Sequence, residues 1–337
     1  MHKKIRLSDA IPAFADSLRA HGKKPNTVKN NLQPLTRALE LWGNIYVESI
    51  QPRHIDTLFA AQDWAPATHN LYLANLKANF FPWARRHKYI PKDYDPCEGW
   101  RSRRVPKTEK LWVPVERFSE LLDRAPNARD RALISLGLFT FARGAEICGL
   151  QWKDINFDDE RIHIYRRKSE AEDRMPMPTE LRDEMLTWMR AYEQANGSID
   201  GDWYVIPWID GNKRDRAESG YMLPITDIRG LLPSQQITRP YYRIKPILVD
   251  MGYDDYRGGT HTMRRSGARA YFQKCRDEGF DSALMETQEM LGHATPAQTM
   301  KYIGVTLERE RRNERIAGKV MFPAMHKNDA DVIKIAR

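Results

Sequence analysis

Residues 261–302 constrain the fold of this chain more than any other segment, because they place several reactive side chains at fixed spacings. The segment contains a His-x-x-Arg motif formed by His261 and Arg264 and a Leu-Gly-His motif that ends at His293. Tyr302 follows nine residues later. The fold therefore has to accommodate two histidines, an arginine and a tyrosine in one region of the molecule.

The His-x-x-Arg motif is predicted to lie at the start of a helix. Thr260 or Thr262 would cap this helix, and residues three apart on a helix are neighbours on its surface. The imidazole of His261 and the guanidinium of Arg264 would then lie near one another at a helix N-terminus, which is a favourable position for an anion.

A second helix is predicted to begin just after His293. Thr295 has the position of an N-cap, Pro296 that of the first helical residue, and Gln298 that of the polar partner in a capping box. Tyr302 then lies in the second turn of this helix. A tyrosine can act as a nucleophile when its proton is removed and its target is polarised.

Two further segments complete the pattern. The first, Arg143-Gly144-Ala145-Glu146-Ile147, is followed by Leu150 and Trp152, and the second contains Lys168. Taken in order with the motifs above, these residues resemble the signature of the tyrosine recombinases, also called phage integrases. The resemblance covers about residues 5–305, and its strength lies in the order of five elements, since each element alone is common.

The resemblance implies a catalytic set and a role for each member. Arg143 would contact the scissile phosphate, Glu146 would orient Arg143, and Lys168 would donate a proton to the leaving 5′ oxygen. The complete implied catalytic set is Arg143, Lys168, His261, Arg264, His293 and Tyr302. Without the resemblance, the better explanation of Arg143 and Glu146 is a salt bridge at a helix end, and that of Lys168 is a solvent-exposed lysine at a hairpin tip.

The chemistry explains why these residue types are needed. Tyrosine attack on a phosphodiester adds negative charge to the transferring phosphate, which arginines stabilise with directional paired donors. Histidines can donate to a phosphoryl oxygen or move the tyrosine proton near neutral pH. A 3′-phosphotyrosine would conserve the bond energy, so we expect no cofactor and no ATP. The sequence has no phosphate-binding loop signature and no acidic cluster with metal-ligand spacing.

Two positions depart from the family pattern. Arg265 replaces the second histidine that often follows the motif arginine, and Gly304 replaces a histidine often found two residues after the nucleophile. Neither belongs to the expected catalytic set. Tyr271 is the other nearby tyrosine, and its helix pattern indicates a core position.

Positive charge is concentrated in the first third of the chain. The net charge is +9, and residues 1–110 hold 19 Lys and Arg against 10 Asp and Glu, whereas residues 111–337 hold 35 of each. A basic module joined to a neutral one fits a module that grips the phosphate backbone and one that acts on it. A basic surface that only aids solubility is the alternative.

The first third is predicted to be a bundle of four helices. Apolar residues recur at helical spacing after Leu7, and prolines at Pro25, Pro52 and Pro66 mark the starts of the other three helices. The resemblance identifies this bundle as the core-binding domain, which covers one face of the DNA. Its expected backbone contacts are Lys23, Lys24, Lys29, Lys77, Arg85 and Arg86.

Residues 101–110 are predicted to form a basic linker. They contain five basic residues, one acid, a proline and no apolar periodicity. The segment is either a flexible tether or a tether that also crosses the duplex, with Arg101, Arg103 and Arg104 on the DNA.

The remainder is predicted to be a mixed α/β domain. Residues 155–177 indicate a short antiparallel sheet with an acidic hairpin tip, residues 178–192 an apolar helix, and residues 203–240 an irregular insertion. The fold class is therefore α+β and mainly α. The expected division is a helical core-binding domain at 1–100, a linker at 101–111 and a catalytic domain with a small antiparallel sheet at 112–337.

The predicted function is site-specific DNA recombination, as in phage or mobile-element integration and excision. A type IB topoisomerase-like strand transferase and a catalytically silent DNA-binding protein are the alternatives. The expected partners are double-stranded attachment sites, three further copies of the chain in a homotetramer, and a directionality factor. The chain shows no signal peptide and no run of about 18 apolar residues, so we expect a protein of the bacterial host cytoplasm or nucleoid.

The two ends of the chain and its cysteines complete the sequence predictions. The charged C-terminal tail would pack on its own domain or on a neighbouring protomer. We expect no additional amino-terminal DNA-binding domain before residue 5. Cys97, Cys148 and Cys275 are widely spaced and are expected to be reduced thiols.

Overall fold

The computed structural model describes residues 3–106, 111–166, 171–210, 226–253, 258–304 and 316–317. The chain divides into two compact units, Met1–Thr108 and Glu109–Arg337. The boundary falls inside the segment expected to be the linker.

Unit 1 is helical, as the apolar periodicity predicts. Its α-helices are α1 (Leu7–Ala20), α2 (Pro25–Trp42), α3 (Pro52–Ala60), α4 (Pro66–Ala74) and α5 (Phe81–Arg86). Proline occupies the first helical position of α2, α3 and α4. Its fixed φ suits this position and its missing N–H is not needed there, so the predicted starts of these three helices are confirmed.

The predicted fourth helix is continuous but is not α-helical throughout. A π-helical segment, Asn75–Phe80, joins α4 to α5, and the backbone stays in the right-handed helical region at both junctions. Pro82 explains the interruption, because a proline inside a helix removes the N–H that would bond to Ala78 and clashes with the carbonyl of that residue. Wider hydrogen bonding before the proline accommodates this loss.

A cluster of aromatic side chains lies in the core of unit 1. The Phe14 ring meets Phe80 edge to face at 5.5 Å and Trp83 at 5.3 Å between ring centroids. All three residues are buried. This cluster ties α1 to the helix that contains the π segment, and each aromatic pair adds to the free energy gained from burial.

The described half of the predicted linker is attached to unit 1. The Asn70 amide donates to the Arg103 carbonyl at 2.8 Å and accepts from the Arg103 backbone N–H at 2.7 Å. Residues 101–106 have no helix or strand. Two hydrogen bonds from the Asn70 side chain therefore hold the Arg103 backbone beside α4.

Unit 2 combines helices with two small antiparallel sheets. Its α-helices are α6 (Phe118–Asp123), α7 (Ala128–Phe139), α8 (Gly144–Ile147), α9 (Thr179–Asn196), α10 (Tyr241–Asp250), α11 (Thr260–Asp277), α12 (Ala283–Leu291) and α13 (Pro296–Ile303). Its strands are β1 (Ile155–Asn156), β2 (Arg161–Arg166), β3 (Ala171–Pro176), β4 (Pro207–Ile209) and β5 (Leu231–Gln236). The mainly α character with a small antiparallel sheet confirms the predicted fold class.

The three-stranded sheet has the order β1-β2-β3, as predicted for residues 155–177. In β2, buried residues alternate with exposed ones, so Ile162, Ile164 and Arg166 share the buried face. The prediction that the acidic residues form the hairpin tip is wrong in part, since Glu172 and Asp173 lie within β3. Asp173 is opposite Ile164 and pairs with Arg166, which draws this acidic stretch into the sheet.

Residues 203–240 are not irregular throughout, which corrects the prediction. Strands β4 and β5 pair antiparallel, with a register shift between Pro207 and Trp208. Proline cannot donate to a ladder and is placed at strand ends and bulges. Pro207 lies in β4 and Pro233 in β5, and both interrupt the alternation of apolar and polar residues. The sequence pattern therefore did not indicate this two-stranded sheet.

The helices α7 and α11 pack unusually close together, and two glycines permit this. A Cβ on Gly267 of α11 would lie 1.8 Å from the Leu138 carbonyl oxygen, and one on Gly137 of α7 would lie 2.8 Å from the Met263 Cβ. Glycine is required where backbones approach this closely. The close packing fixes α11, which carries the His-x-x-Arg motif, against the helix that leads to Arg143.

The three cysteines are buried, and none of them forms a disulfide bond. None of the helices in the described ranges combines the length and the apolar character needed to cross a bilayer.

Candidate active site

Arg143 is the N-cap residue of α8 and is bound to Glu146 in two ways. The Glu146 carboxylate accepts from the Arg143 backbone N–H at 2.7 Å and from its guanidinium at 2.8 Å. The Glu146 side chain is 2% exposed, whereas that of Arg143 is 25% exposed. Glu146 therefore caps the helix and orients a guanidinium that remains accessible to a ligand.

Arg264 is buried, and backbone carbonyls fix its direction. Its guanidinium donates to the carbonyls of Phe141 and, at 2.6 Å, of Leu291, and it lies 3.9 Å from the Glu146 carboxylate. Burial lowers the pKa of Arg264 to about 10, so it is still a cation at neutral pH. Phe141 has a left-handed φ of 49°, which is a strained conformation for a residue with a side chain. This strained turn presents a carbonyl to Arg264 two residues before Arg143.

The predicted cap of the His-x-x-Arg helix is wrong. Gly259 precedes α11, and the Thr262 hydroxyl accepts from its N–H at 3.2 Å, so Thr262 reaches back to the cap from the first turn. A Cβ on Gly259 would lie 2.6 Å from the Tyr241 ring, which explains why a glycine stands there. His261 is exposed in the same turn in which Arg264 is buried.

Tyr302 lies in the second turn of α13, as predicted. Thr295 caps this helix with its hydroxyl, which accepts from the Gln298 N–H at 3.3 Å. The Tyr302 hydroxyl donates to the His261 carbonyl at 3.3 Å. The structure thus brings the tyrosine to the N-terminal turn of α11.

His293 follows the left-handed residue Gly292, which ends α12. Its ring meets the Tyr302 ring edge to face, with centroids 5.2 Å apart, and its Nδ1 is 3.1 Å from the Thr299 hydroxyl. The Arg264 guanidinium carbon lies 5.7 Å from the centroid of the Tyr302 ring. The Leu-Gly-His motif, the motif arginine and the tyrosine therefore share one site.

Burial and charge act in opposite directions on Tyr302. Burial raises the pKa of its hydroxyl, and the positive charges of Arg264, Arg265 and Arg143 lower it, with burial the larger effect. The hydroxyl is therefore protonated at neutral pH, and a nucleophilic role requires another group to accept its proton.

Sequence analysis missed Arg166 as part of this site. Its guanidinium donates to Asp173 at 2.6 Å and to the Met290 carbonyl at 2.7 Å, and it lies 3.9 Å from Glu146. The side chain is 4% exposed. The alternation in β2 could have identified it, because Arg166 continues the buried face of Ile162 and Ile164.

Two predicted features lie outside the described residues. Lys168 belongs to residues 167–170, which join β2 to β3. The C-terminal tail, apart from Ile316 and Ala317, belongs to residues 305–315 and 318–337.

Unit 1 has a basic groove on its surface. The groove, of 650 Å³, is lined by four basic residues, Arg19, Lys23, Lys29 and Arg37, and also by Tyr72 and the acidic Glu40. Arg19 pairs with Asp16 at 2.6 Å and Arg37 with Glu40 at 2.8 Å. The structure therefore groups two of the predicted DNA-binding lysines and adds two arginines that sequence analysis did not single out.

The other predicted DNA contacts of unit 1 have varied surroundings. Lys24, Lys77, Arg86, Arg101, Arg103 and Arg104 are exposed. Arg85 is half-buried, and its guanidinium donates to the Tyr94 carbonyl at 2.8 Å. Arg85 thus also has a structural contact within its own unit.

Comparison with known sequences gives matches along most of the chain. The model of the phage integrase family matches residues 112–309. Tyrosine recombinase XerA of Pyrococcus furiosus is 25% identical over 313 residues, which cover 91% of this chain and 93% of the relative. Tyrosine recombinase XerC of Myxococcus xanthus is 25% identical over 320 residues, covering 89% and 95%.

Solved structures show the same fold. A lambda integrase dimer bound to a COC′ core site has a TM-score of 0.64 at 13% identity, covering 95% of this chain and 81% of that one. The XerH site-specific recombinase bound to difH has a TM-score of 0.56 at 18% identity, covering 93% and 85%. Because the family model spans more than half of the sequence, this chain belongs to the phage integrase family, the tyrosine recombinases.

Proposed function

We propose that this recombinase cuts and rejoins duplex DNA at specific sites through a 3′-phosphotyrosine formed by Tyr302. The observation that carries the proposal is the packing of the Tyr302 ring against His293 and near the guanidinium of Arg264. A tyrosine placed between a histidine and an arginine has both a group that can handle its proton and a group that can bind its target.

Arg143 and Arg264 would bind the scissile phosphate. The transition state carries more negative charge than the bound DNA, and donors already aimed at that charge stabilise it without reorganisation. Arg264 is held by two carbonyls and Arg143 by Glu146, so neither guanidinium has to be ordered when DNA binds. The accessible Arg143 side chain would meet the phosphate from the solvent side.

The chemical step conserves the energy of the broken bond. The Tyr302 oxygen forms a bond to phosphorus, and the bond from phosphorus to the 5′ oxygen breaks. Lys168 would protonate that 5′ oxygen, while His261 or His293 would accept the tyrosine proton or donate to a phosphoryl oxygen. Attack by a 5′ hydroxyl of another strand reverses these steps and restores the tyrosine.

Unit 1 would supply the electrostatic part of DNA binding. Lys23 and Lys29 line its basic groove, and the Arg103 backbone is fixed beside α4. Each phosphate neutralised by such a cation releases a counterion. The exposed arginines of residues 101–106 would extend this contact along the duplex.

The assembly would be a homotetramer on paired attachment sites. One protein of similar fold is a lambda integrase tetramer bound to a Holliday junction, which supports this arrangement. Integration or excision of a phage or mobile element is the process that fits, with a directionality factor as an additional partner.

Covalent trapping on nicked DNA tests the proposal. A candidate attachment-site duplex with a nick beside the cleavage position loses the short 5′ fragment after cleavage, so the phosphotyrosine accumulates. Tyr302→Phe is expected to bind this DNA and to form no complex that survives denaturation. Tyr271→Phe is the matched control, because its hydroxyl donates to Glu286 at 3.0 Å and is used within the fold. Trapping by Tyr302→Phe would show that the nucleophile is another residue.

A two-site assay separates the alternatives. A recombinase requires two copies of a defined sequence and exchanges their strands, whereas a type IB topoisomerase-like enzyme relaxes supercoiled DNA without either requirement. A catalytically silent DNA-binding protein would do neither.

A further inference from the structure

Arg265 connects the helix of the tyrosine to the beginning of unit 2. Its Nε donates to the Tyr302 carbonyl at 2.9 Å, and its NH1 donates to the Leu111 carbonyl at 2.6 Å. Its guanidinium carbon lies 5.1 Å from the centroid of the Tyr302 ring. A single planar group thus bridges two segments that are distant in sequence, and Arg265 is 9% exposed.

Arg269, one turn further along α11, repeats the connection. Its NH1 donates to the Ile303 carbonyl at 3.1 Å, and its guanidinium carbon lies 4.1 Å from the centroid of the Trp112 ring. Between the two arginines, the Ser266 hydroxyl accepts from the Val113 N–H at 2.7 Å. Three residues of α11 therefore hold residues 111–113, and two of them also hold the end of α13.

The position of these contacts on α13 has a physical consequence. Tyr302 and Ile303 are its last two residues, and Gly304 ends it with a left-handed φ of 73°. Carbonyls in the last turn of a helix lack partners within the helix and carry the negative end of its dipole. Two guanidinium groups at these carbonyls therefore fix the helix end, and with it Tyr302, relative to α11 and Arg264.

We propose that Arg265 and Arg269 are positioning residues that set the place of Tyr302 by tying the last turn of α13 to residues 111–113. Leu111 ends the predicted linker, and residues 111–113 begin the described part of unit 2. The proposal rests on Tyr302 being the nucleophile. It gives two arginines outside the catalytic set the role of holding the nucleophile in place.

Single-turnover cleavage at saturating nicked DNA tests the bridge. Arg265→Gln is expected to slow cleavage roughly 100-fold, the scale associated with a misplacement of about 1 Å, while its DNA affinity stays within about twofold of the parent. Arg276→Gln is the control on the same helix, because Arg276 pairs with Asp277 at 3.3 Å and lies at the C-terminal end of α11, about three turns beyond Arg265. A wild-type cleavage rate in Arg265→Gln would overturn the proposal. A slow rate accompanied by weaker DNA binding and a lower melting temperature would also overturn it, because it would show a general loss of structure.

Arg265→Lys distinguishes the bridge from a simple charge effect. Lysine keeps a cation near the Tyr302 ring, but its single ammonium group cannot span the carbonyls of Leu111 and Tyr302 as the planar guanidinium does. The bridge predicts that Arg265→Lys is about as slow as Arg265→Gln. Recovery of the wild-type rate by lysine would assign the effect to charge and remove the bridge.

A double-mutant cycle between Arg269 and Trp112 keeps the test decisive if Arg265→Gln does not fold. Arg269→Gln and Trp112→Leu are each expected to slow cleavage about tenfold, and the double variant is expected to be no slower than the slower single, because both remove one connection. If the rate loss of the double variant equals the product of the two single losses, Arg269 and Trp112 act independently, which would contradict the coupling. An error in the assignment of Tyr302 as the nucleophile is detected separately, since Tyr302→Phe would then still form the covalent complex.

Discussion

The Glu146 carboxylate lies 3.9 Å from the Arg264 guanidinium, and both side chains are 2% exposed. The same carboxylate binds Arg143 at 2.8 Å and lies 3.9 Å from Arg166. Glu146 thereby meets three guanidinium groups, which come from the N-cap of α8, from β2 and from α11. It acts as an internal anion around which the cations of the site are arranged before any DNA phosphate is present.

Glu146→Gln is the first prediction. The substitution keeps the shape of the side chain and removes its charge, so the buried cations lose an anionic partner. We expect the free energy of unfolding to fall by about 3 kcal/mol, the scale for a buried ion pair that loses one member. Thermal or denaturant unfolding of the DNA-free protein measures this change.

The DNA-bound form supplies the control for that prediction. A bound phosphate would replace part of the missing negative charge, so the loss of stability is expected to shrink when attachment-site DNA is present. Glu120→Gln is a matched surface variant, because Glu120 pairs with Arg117 and Arg124 and is 36% exposed. An equal loss with and without DNA would argue against the phosphate binding beside Glu146.

Sequence patterns predicted the helix starts and the motif geometry of this chain well, because both depend on local chemistry. Prolines mark α2, α3, α4 and α13, and the Thr295 cap lies where the capping box predicts. The cap at Gly259 was missed, because the close approach of Tyr241 that selects glycine there is a tertiary contact. The ribbon of β4 and β5 was missed, because prolines interrupt its alternation.

The residues that support the site were harder to predict than its motif residues. Arg265 is a departure from the family pattern, and only the packing of α11 against residue 111 and the end of α13 reveals its two carbonyl partners. Arg166 was predictable in part, since its position in β2 puts it on the buried face. Its contact with the Met290 carbonyl depends on where α12 ends, which no local pattern specifies.

The ionisation of Tyr302 gives the second prediction. Burial raises its pKa above the usual value of about 10, against the opposing charges of Arg264, Arg265 and Arg143. The ultraviolet absorbance of tyrosinate is measured in the parent and in Tyr302→Phe as the pH rises. The difference between the two, which reports Tyr302, is expected to develop above about pH 10. A step at lower pH would mean that the arginine charges outweigh burial.

The same shift predicts how stability depends on pH. Since the pKa is higher in the folded protein than in the unfolded chain, the stability contributed by protonated Tyr302 is complete below about pH 10 and is lost as the pH rises through the folded pKa. The difference in unfolding free energy between the parent and Tyr302→Phe is therefore expected to be flat near neutral pH and to fall only in alkali. Denaturant titrations at a series of pH values measure it.

The third prediction concerns the placement of positive charge. A fragment ending near residue 110 contains the basic groove and its own aromatic core, and it is expected to bind duplex DNA with a steeper salt dependence than the fragment that begins there. Each neutralised phosphate adds to the slope of log K against log salt, by about 0.9 per contact in B-DNA. Fluorescence anisotropy at several salt concentrations gives both slopes, and equal slopes would contradict this division of labour.

The fourth prediction concerns the general acid. If Lys168 protonates the leaving oxygen, Lys168→Ala is expected to cleave ordinary DNA slowly and to recover on a substrate with a 5′-phosphorothiolate at the scissile bond, because a sulfur leaving group needs no proton. Arg143→Ala should stay slow on both substrates, since it would stabilise charge on the phosphoryl group. Comparing the single-turnover rates on the two substrates separates these roles.

The position at which β2 ends decides which residue of the following hairpin could be the general acid. Arg166 ends β2 with its side chain buried against Asp173 and the Met290 carbonyl, so its guanidinium is used within the fold, and an acid from this hairpin would come from the residues after it. Rescue of Arg167→Ala by the phosphorothiolate, with Lys168→Ala still defective, would move the acid by one residue. Rescue of neither would exclude the hairpin as its source and leave His261 or His293, both near Tyr302, as the group that protonates the 5′ oxygen.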